Sequence, residues 1–441
     1  MSNPRASALQ YADQKYAVFL EELKEFTAIP SISTELDYQA EMQRAAEWVA
    51  GQLRHIGMDR VTIFPTGGHP VVYGESLAAG PGAPTVLIYG HYDVQPAEPL
   101  ELWESGPFEP TIRGENIYGR GISDMKGQVM ACLKALEAIA QTNGKIPVNV
   151  KILIEGEEEI GSPNLGPFIA EHKELVASDF ALNPETGMIA PDLPPITYAL
   201  RGLAYFEIRL QGPDHDLHSG LFGGVVHNPA QALCELIAGM HDEQGRITLP
   251  GFYDSVRPLD EEERAELARL PMDEAFYRAQ TGVPALWGEQ GYRPVERTGA
   301  RPTLEVNGLL AGYTGAGTKT VLPARAMAKI SMRLVPDQTP EEVYQQLRSY
   351  LEKHAPATVH WEVLDLHGGP PSISDRSSKA VQALSQALET VWGVRPLFKR
   401  EGGSVPVVGQ FQEYLGVESV NGGFGLYDDN AHSPNEKLHL P

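Results

Sequence analysis

Residues that commonly bind metal ions occur in several short, glycine-containing motifs spread along the chain, and most of these motifs directly follow apolar, strand-like runs. The candidates are His91 and Asp93 in GHYD, Asp124 in GRGISDMKG, Glu158 and Glu159 in EGEEEIG, Glu185 in NPETG, and His432 in DDNAHSPNE. Imidazole and carboxylate groups together suit zinc first, then manganese or cobalt, whereas an all-oxygen set would suggest magnesium or calcium. The pattern therefore predicts a hydrolase that uses two metal ions.

The spacing of these residues indicates different roles for them. On an extended segment His91 and Asp93 cannot easily bind the same metal, so Asp93 is better placed to fix the tautomer of an imidazole ligand. Asp124 can bridge two cations, about 3.5–4 Å apart, through its two oxygens. Glu158 and Glu159 are adjacent and diverge, so one can bind a metal while the other serves as a general base.

Each motif also has a purely structural explanation when it is taken alone. Asp124 could cap the helix that follows it, and the acidic run EGEEE could be the solvated start of a helix. A metal site is favoured because the motifs each follow a strand or open a helix, and because together they complete a coordination set. Other signatures fail: HExxH and GxSxG are absent, and GYTGAGTKT misses the spacing of a phosphate-binding loop.

Length and composition restrict the class of protein. A chain of 441 residues exceeds the usual size of one hydrophobic core, so two domains are expected. The net charge of -23 argues against binding to nucleic acid or anionic membranes. Cys132 and Cys234 form no CxxC motif, which favours a reducing compartment. Since no signal-peptide or membrane-spanning run is present, we expect a cytoplasmic protein.

The first part of the chain has the pattern of an α/β domain. Helical spacing of apolar residues predicts helices at 8–27, 38–56, 125–141 and 163–173, with short β-branched strands between them. Strands that alternate with helices indicate a largely parallel sheet. Ligands of such sheets gather beyond the carboxyl ends of the strands, where several of the candidate residues lie in the sequence.

The pattern changes to strand–helix repeats between residues 201 and 365. AYFEIRLQG and AMAKISMRLV alternate apolar with polar residues, as antiparallel strands with one buried face do. Asn228 with Pro229, and later the sequence TPEE, are typical starts of helices. We therefore expect a small α+β sandwich at 201–365, inserted into an α/β domain that is formed by 1–200 and 366–441.

Taken together, these segments resemble the carnosinase and aminoacylase family of dinuclear metallopeptidases, most closely its cytosolic non-specific dipeptidase branch. The matching stretches are GHYDVQP, GRGISDMKGQ, EGEEEIGS, ITYALRG, DLHSGLFGG, KTVLPARAMAKISMRLVP, REGGSVPV and DDNAHSPNEKL. The resemblance covers essentially the whole chain. It implies a zinc-peptidase-like catalytic domain, with a mostly parallel central sheet and helices on both faces, and an inserted α+β sandwich that serves as lid and dimerisation domain.

The resemblance also assigns the ligands to two metal ions. The first ion would be held by His91, Asp124 and Glu185, and the second by Asp124, Glu159 and His432. Glu158 would be the general base, and Asp93 would orient His91. Glu185 stands where the dipeptidase branch often has aspartate. Asn430 replaces a glycine that commonly precedes the ligand histidine by two residues, and PPSISDRSSK lacks a histidine that some dipeptidases have nearby.

Further residues are implied to bind the substrate. His218 resembles a histidine that reaches into a neighbouring subunit and stabilises the tetrahedral oxyanion, so a homodimer is expected. Arg333 resembles the arginine that binds the terminal carboxylate of the substrate, a role that suits its two-pronged guanidinium. Thr320, Ser404 and Gly403 would assist substrate binding.

The expected function is hydrolysis of dipeptides, or of other small peptides with a free C-terminal carboxylate, by a water that two metal ions activate. One alternative is an N-acyl amino-acid deacylase, which would use the same metals and differ in its pocket for the acyl group. A second is a non-catalytic binding protein on the same fold. Every expected ligand position is filled in this sequence, which argues against the second alternative.

Overall fold

The computed structural model describes residues 4–403 and 405–441 and divides into two compact units. Unit 1 comprises Met1–Tyr198, Ser374–Phe398 and Pro406–Pro441, and unit 2 comprises Ala199–Ile373 and Lys399–Val405. No helix of the described residues combines the length and the apolar character that crossing a membrane requires.

The strands and α-helices of both units are numbered in chain order, and they alternate through most of unit 1. The strands are β1 Arg60–Phe64, β2 Val71–Ser76, β3 Thr85–His91, β4 Thr111–Arg113, β5 Asn116–Tyr118, β6 Asn149–Glu155, β7 Phe180–Asn183, β8 Pro195–Leu200, β9 Gly202–Gln211, β10 Leu217–His218, β11 Thr303–Ala311, β12 Val321–Leu322, β13 Arg325–Leu334, β14 His360–Gly369, β15 Ser372–Ile373, β16 Leu397–Glu401, β17 Ser419–Asn421 and β18 Lys437–His439. The helices are α1 Pro4–Thr27, α2 Gln39–Ile56, α3 Gly127–Asn143, α4 Leu165–Glu171, α5 Lys173–Val176, α6 Ser219–Phe222, α7 Pro229–Ala238, α8 Glu261–Leu267, α9 Glu274–Thr281, α10 Pro294–Gly299, α11 Pro340–His354, α12 Lys379–Trp392 and α13 Pro406–Gln410.

The central sheet of unit 1 has the strand order β1-β2-β6-β3-β7-β17-β8. Its middle pairings, β6 with β3, β3 with β7 and β7 with β17, are parallel, which confirms the predicted α/β architecture. The flanking pairings, β1 with β2, β2 with β6 and β17 with β8, are antiparallel. A short loop joins β1 to β2, and such a loop permits only an antiparallel pair.

Helices cover both faces of this sheet. On one face Ile88 of β3 belongs to a buried core that includes Leu53 of α2 and Val129 of α3. On the opposite face the ring of Tyr89 packs edge-on against Phe411, with 6.0 Å between the centroids. Neighbouring residues of a strand point to opposite faces, so β3 is anchored on both sides before it ends at His91.

Unit 2 contains an antiparallel sheet with the order β11-β13-β9-β14. Its buried positions alternate as predicted, and they are Ala204, Phe206, Ile208 and Leu210 on β9 with Ala328, Ile330, Met332 and Leu334 on β13. Helices α7 and α11 pack on this face. Both begin as expected, because the side chain of Asn228 accepts from the Ala230 amide and that of Thr339 from the Glu342 amide.

The boundary that we expected at residue 365 falls inside β14. This strand continues to Gly369 because it pairs with β9 as far as Leu203, with one irregularity after Asp365. The sheet of unit 2 therefore extends a few residues beyond the end of its alternating sequence pattern.

Gly90 offers a test of the close packing behind the end of β3. A Cβ atom at this position would lie 2.6 Å from Cγ2 of Val129 and 3.2 Å from Cδ1 of Ile154. We expect Gly90→Ala to lower the free energy of unfolding by about 1–3 kcal/mol in urea titrations, because overpacking shifts side chains and backbone. The control is Gly51→Ala within α2, where a Cβ meets nothing within 4 Å and a gain of about 0.4–1 kcal/mol is expected. Equal stability of Gly90→Ala and the wild type would contradict this packing argument.

Candidate metal centre

The parallel strands of unit 1 bring several predicted site residues to one edge of the sheet. His91 ends β3 and is paired in parallel register with Glu155, the last residue of β6. A short turn after β6 carries Glu158 and Glu159 and ends at Gly161, whose φ of 87° is in the left-handed region. Because parallel strands end at the same edge, their following loops converge there.

Asp124 lies between the two predicted histidine ligands. Its Oδ1 is 3.2 Å from Nε2 of His91, and its Oδ2 is 3.0 Å from Nε2 of His432. Asp124 belongs to the turn that precedes α3, and His432 to the loop between β17 and β18. Each carboxylate oxygen therefore faces a different imidazole, the arrangement that a bridging ligand requires.

The remaining carboxylates complete two groups of possible ligands. Nε2 of His432 lies 3.2 Å from Oε2 of Glu159, and Nε2 of His91 lies 3.9 Å from Oε1 of Glu185. Within each group the ligand atoms lie within 4.8 Å of one another, and the groups are His91, Glu158 and Glu185, and Asp124, Glu159 and His432. All the predicted ligands are thus together. Glu158 stands among them, and its assignment as base rather than ligand stays a prediction.

Asp93 is buried and contacts both sides of the centre. Its carbonyl oxygen lies 3.0 Å from Nδ1 of His91, and its carboxylate Oδ1 lies 3.3 Å from the same nitrogen. The carboxylate also accepts from the backbone amides of Glu158, at 3.2 Å, and Glu159, at 3.0 Å. Asp93 therefore contacts the imidazole as expected and, in addition, fixes the turn that carries both glutamates.

Two residues near the centre were not found by sequence reasoning. Gln95 donates from Nε2 to the carboxylate of Glu159 at 2.9 Å. Lys126 is fully buried and donates to the carbonyl oxygens of Phe26, at 3.1 Å, and Ile29, at 2.6 Å. Both stand in the motifs GHYDVQP and SDMKG, so their places in those motifs were the only available signal.

Hydrogen bonds and burial shift the ionisation of the histidines and of Asp124. Hydrogen bonds with Asp124 and Glu159 raise the pKa of His432 to about 10. Burial lowers the pKa of His91, but hydrogen bonds with Asp124 and Asp93 outweigh this effect and hold its pKa well above the ordinary value. Burial opposes ionisation of Asp124, yet its bonds with both imidazoles keep its pKa below the usual range.

Glu158 and Glu185 differ from Asp124, because their surroundings raise the pKa and favour the neutral form. Burial, followed by the like charges of Glu159 and Asp124 and partly offset by His91, raises the pKa of Glu158 to about 8. Burial and the charge of Glu158 hold the pKa of Glu185 well above its ordinary value. Crowded carboxylates disfavour one another's charged form, and nearby cations remove that penalty.

The residues fit a pair of divalent cations. Within the described part of the chain, Oε2 of Glu185 is buried without any hydrogen-bond partner, so this oxygen is free to bind a metal. The other potential ligand atoms are imidazole nitrogens and carboxylate oxygens, a combination that zinc and similar divalent ions bind. Binding would displace protons from these groups, since metal ligands bind in their deprotonated forms.

The conformation of the His432 loop accounts for the departure at Asn430. Asn430 has a φ of 55° and His432 a φ of 61°, both in the left-handed region. Glycine adopts this region without steric cost, and asparagine is among the residues that tolerate it best. Asn430 therefore preserves the loop conformation that the usual glycine would allow.

The described residues among the predicted substrate-binding set belong to unit 2. His218 is exposed on β10, which pairs with β12, and its Nδ1 accepts from the Gly220 amide at 3.0 Å. The carbonyl oxygen of Thr320 accepts from the Ser219 amide at 3.1 Å. The structure thus brings His218 and Thr320 side by side on a two-stranded ribbon.

A second part of unit 2 contains Arg333, Gly402 and Gly403. Arg333 lies on β13, and burial lowers its pKa. Burial and the charge of Arg333 lower the pKa of Arg201 to about 10, and Nε of Arg201 donates to the carbonyl of Gly402 at 3.0 Å. Gly403, which follows, has open space around its Cα. Ser404 lies outside the described residues.

Residues 87–441 match the family model described as Peptidase family M20/M25/M40. The chain belongs to this family. It is a metallopeptidase with a dinuclear site for divalent metals, as the sequence predicted, and the predicted relationship to carnosinases and dipeptidases is confirmed.

Individual relatives cover nearly the full length of this M20 chain. It is 32% identical over 443 residues to the Cys-Gly metallodipeptidase of Candida albicans, covering 96% of this chain and 91% of that protein. It is 33% identical over 450 residues to the human Beta-Ala-His dipeptidase, covering 98% and 88%. Among solved structures, an M20 family metallo-carboxypeptidase from Sulfolobus solfataricus superimposes with a TM-score of 0.84 at 35% identity, covering 96% and 95%.

The crowding of carboxylates predicts that metal ions stabilise the fold. After chelation and dialysis, zinc at about 100 times its dissociation constant should stabilise the protein by about 2.7 kcal/mol, which thermal unfolding will show as a raised Tm. Calcium should raise the Tm less, because it prefers a shell made only of oxygen ligands. A variant with both His91→Ala and His432→Ala should lose the zinc response. An unchanged Tm of the wild type upon addition of zinc would contradict the metal centre.

Proposed function

We propose that this M20 family member hydrolyses dipeptides, and other small peptides with a free C-terminal carboxylate, with the help of two zinc ions. The observation that carries the proposal is the position of Asp124, whose two oxygens face His91 and His432 at 3.2 and 3.0 Å. The activities named for the Candida and human relatives support a dipeptide substrate. Imidazole ligands favour zinc, with manganese and cobalt as the nearest substitutes.

The metal ligands are proposed to divide between the two ions. One ion would be held by His91, Asp124 and Glu185, and the other by Asp124, Glu159 and His432. When bound, such ions polarise the scissile carbonyl and lower the pKa of the attacking water. Gln95 and Asp93 keep the ligand side chains in place through the hydrogen bonds described above.

Glu158 is proposed as the general base. It removes a proton from the attacking water and delivers a proton to the leaving amine when the peptide bond breaks. Glu158 adjoins His91 and Glu185, with ligand atoms within 4.8 Å of one another, so its carboxylate lies beside the proposed metal centre, where a general base is needed. Its backbone amide is held by Asp93, which limits movement of the turn.

Unit 2 is proposed to be the lid and dimerisation domain and to recognise the substrate. Arg333 would bind the terminal carboxylate in a bidentate manner, which its half-buried setting strengthens. Thr320 and the amides around Gly403 would support the substrate, and Ser404 is proposed from the sequence alone. Unit 1 would then be the catalytic domain.

The dimer is proposed because the exposed residue His218 is followed within a few positions by exposed apolar residues. Leu221 and Val225 are exposed to 73% and 85%, and adjacent exposed apolar side chains are typical of contact surfaces. In this dimer His218 of one subunit would stabilise the oxyanion in the active site of its partner.

A cytoplasmic location is proposed from the free cysteines Cys132 and Cys234. Isolation of the native protein from a secreted fraction would contradict it.

A substrate panel tests the proposed function. Dipeptides, their C-terminal amides and N-acetyl amino acids are incubated with enzyme loaded with zinc, manganese or cobalt, and released amino acids are quantified. We expect dipeptides to be cleaved fastest and their amides to lose at least about tenfold in kcat/KM, because Arg333 would lose its charged partner. Faster cleavage of N-acetyl amino acids would instead support the deacylase alternative, which the relatives do not favour.

Glu158→Gln tests the base assignment. The substitution keeps the size of the side chain and removes its basic carboxylate, so kcat should fall by about 10²–10⁴-fold. Metal content, measured by elemental analysis, should stay at the wild-type value. Retained turnover would show that another group removes the proton, and loss of metal would assign Glu158 to the ligands.

Mixed dimers test the role of His218. His218→Ala and Glu158→Gln chains should each be inactive alone, whereas a subunit-exchanged mixture should recover up to about one quarter of wild-type activity, because half the dimers carry one intact site. The same mixture without subunit exchange is the control. Absence of recovery in verified hybrids, or full activity of a monomer, would contradict the partner role.

A further inference from the structure

Glu436 joins the two parts of the chain that carry Asp124 and His432. Its carboxylate is fully buried, and its Oε1 accepts from the backbone amides of Ser123, at 3.0 Å, and Asp124, at 3.1 Å. Its Oε2 accepts from the Gly121 amide at 2.8 Å. One side chain near the C-terminus therefore binds three amides of the turn that presents Asp124.

Arg120 completes the surroundings of this carboxylate. Its Nη1 donates to Oε2 of Glu436 at 2.7 Å, and both side chains are only 1% exposed. With three amides and a guanidinium as donors, the oxygens of Glu436 are engaged by the protein itself. Glu436 is therefore placed to act on the metal centre through Asp124 and not as a ligand.

Other contacts hold the same two chain segments together. The Gly119 amide donates to the carbonyl of Glu436 at 3.0 Å, and Ser123 Oγ donates to Oδ2 of Asp429 at 2.8 Å. β18 pairs with β5 directly after Glu436. His432 lies between Asp429 and Glu436, so the segment that carries it is fixed to the Asp124 turn at both ends.

We propose that Glu436 is a positioning residue that sets the distance between Asp124 and His432 and thereby the affinity of the centre for metal. The inference rests on the proposed two-metal function. Carboxylates that orient metal ligands by hydrogen bonds typically contribute about 10–100-fold to metal affinity. A purely structural ion pair would affect stability and leave that affinity unchanged.

The test measures the affinity of the full-length protein for zinc by competition with a chromophoric chelator, alongside thermal unfolding. Glu436→Gln keeps the shape of the side chain but replaces one acceptor oxygen with a donor group. The control is Glu289→Gln, which breaks a comparable buried pair in unit 2, where Arg301 donates to Glu289 at 2.7 and 2.8 Å. We expect zinc affinity to fall about 10–100-fold in Glu436→Gln and to stay at the wild-type value in Glu289→Gln.

A double variant with Arg120→Met and Glu436→Gln keeps the proposal testable if Glu436→Gln does not fold. It removes both buried charges together, which folded proteins commonly tolerate. The same loss of zinc affinity is expected, because the turn still loses its carboxylate acceptor. Zinc affinity within twofold of the wild type in a folded Glu436 variant would overturn the inference. A wild-type protein that binds no zinc would instead overturn the proposed metal centre.

Discussion

The main physical constraint on this structure is repulsion among carboxylates that are held around two imidazoles at one edge of a sheet. Asp124, Glu158, Glu159 and Glu185 repel one another where burial weakens the screening by water. The pKa of Asp124 is low because both histidines donate to it, whereas the pKa of Glu158 rises to about 8. Two divalent cations would offset this repulsion directly, which explains why a metallopeptidase can hold these carboxylates so close together.

The fold of unit 1 supplies the positions at which these charges are held. Parallel β3, β6 and β7 end at the same edge, and their buried apolar residues keep those ends in place. Hydrogen bonds then orient the proposed ligands: Asp93 connects His91 with the Glu158–Glu159 turn, and Gln95 donates to Glu159. Asn430, His432 and Asn435 in the His432 loop, and Ser162 just after the Glu158–Glu159 turn, adopt the left-handed region.

Much of this arrangement could be predicted from the sequence, because local patterns specify strands, helix starts and the residues that follow them. The ends of β3 and β6 and the alternating strands of unit 2 are examples. The antiparallel flanks of the central sheet and the role of Gln95 could not be predicted, since they depend on pairing between distant segments. Gln95 and Glu159 are 64 residues apart, and Glu436 and Asp124 are 312 apart. His432 could be recognised as a candidate ligand from its residue type, but only the family resemblance grouped it with Asp124 and Glu159.

The central claim is that one centre in unit 1 binds two metal ions that share Asp124. Anomalous diffraction from zinc-loaded crystals tests this claim most directly, because the peaks locate each zinc ion independently of the protein coordinates. We expect two peaks about 3.5–4 Å apart, with Asp124 between them, His91 and Glu185 at one and Glu159 and His432 at the other. A single peak, or two peaks that Asp124 does not bridge, would contradict the account.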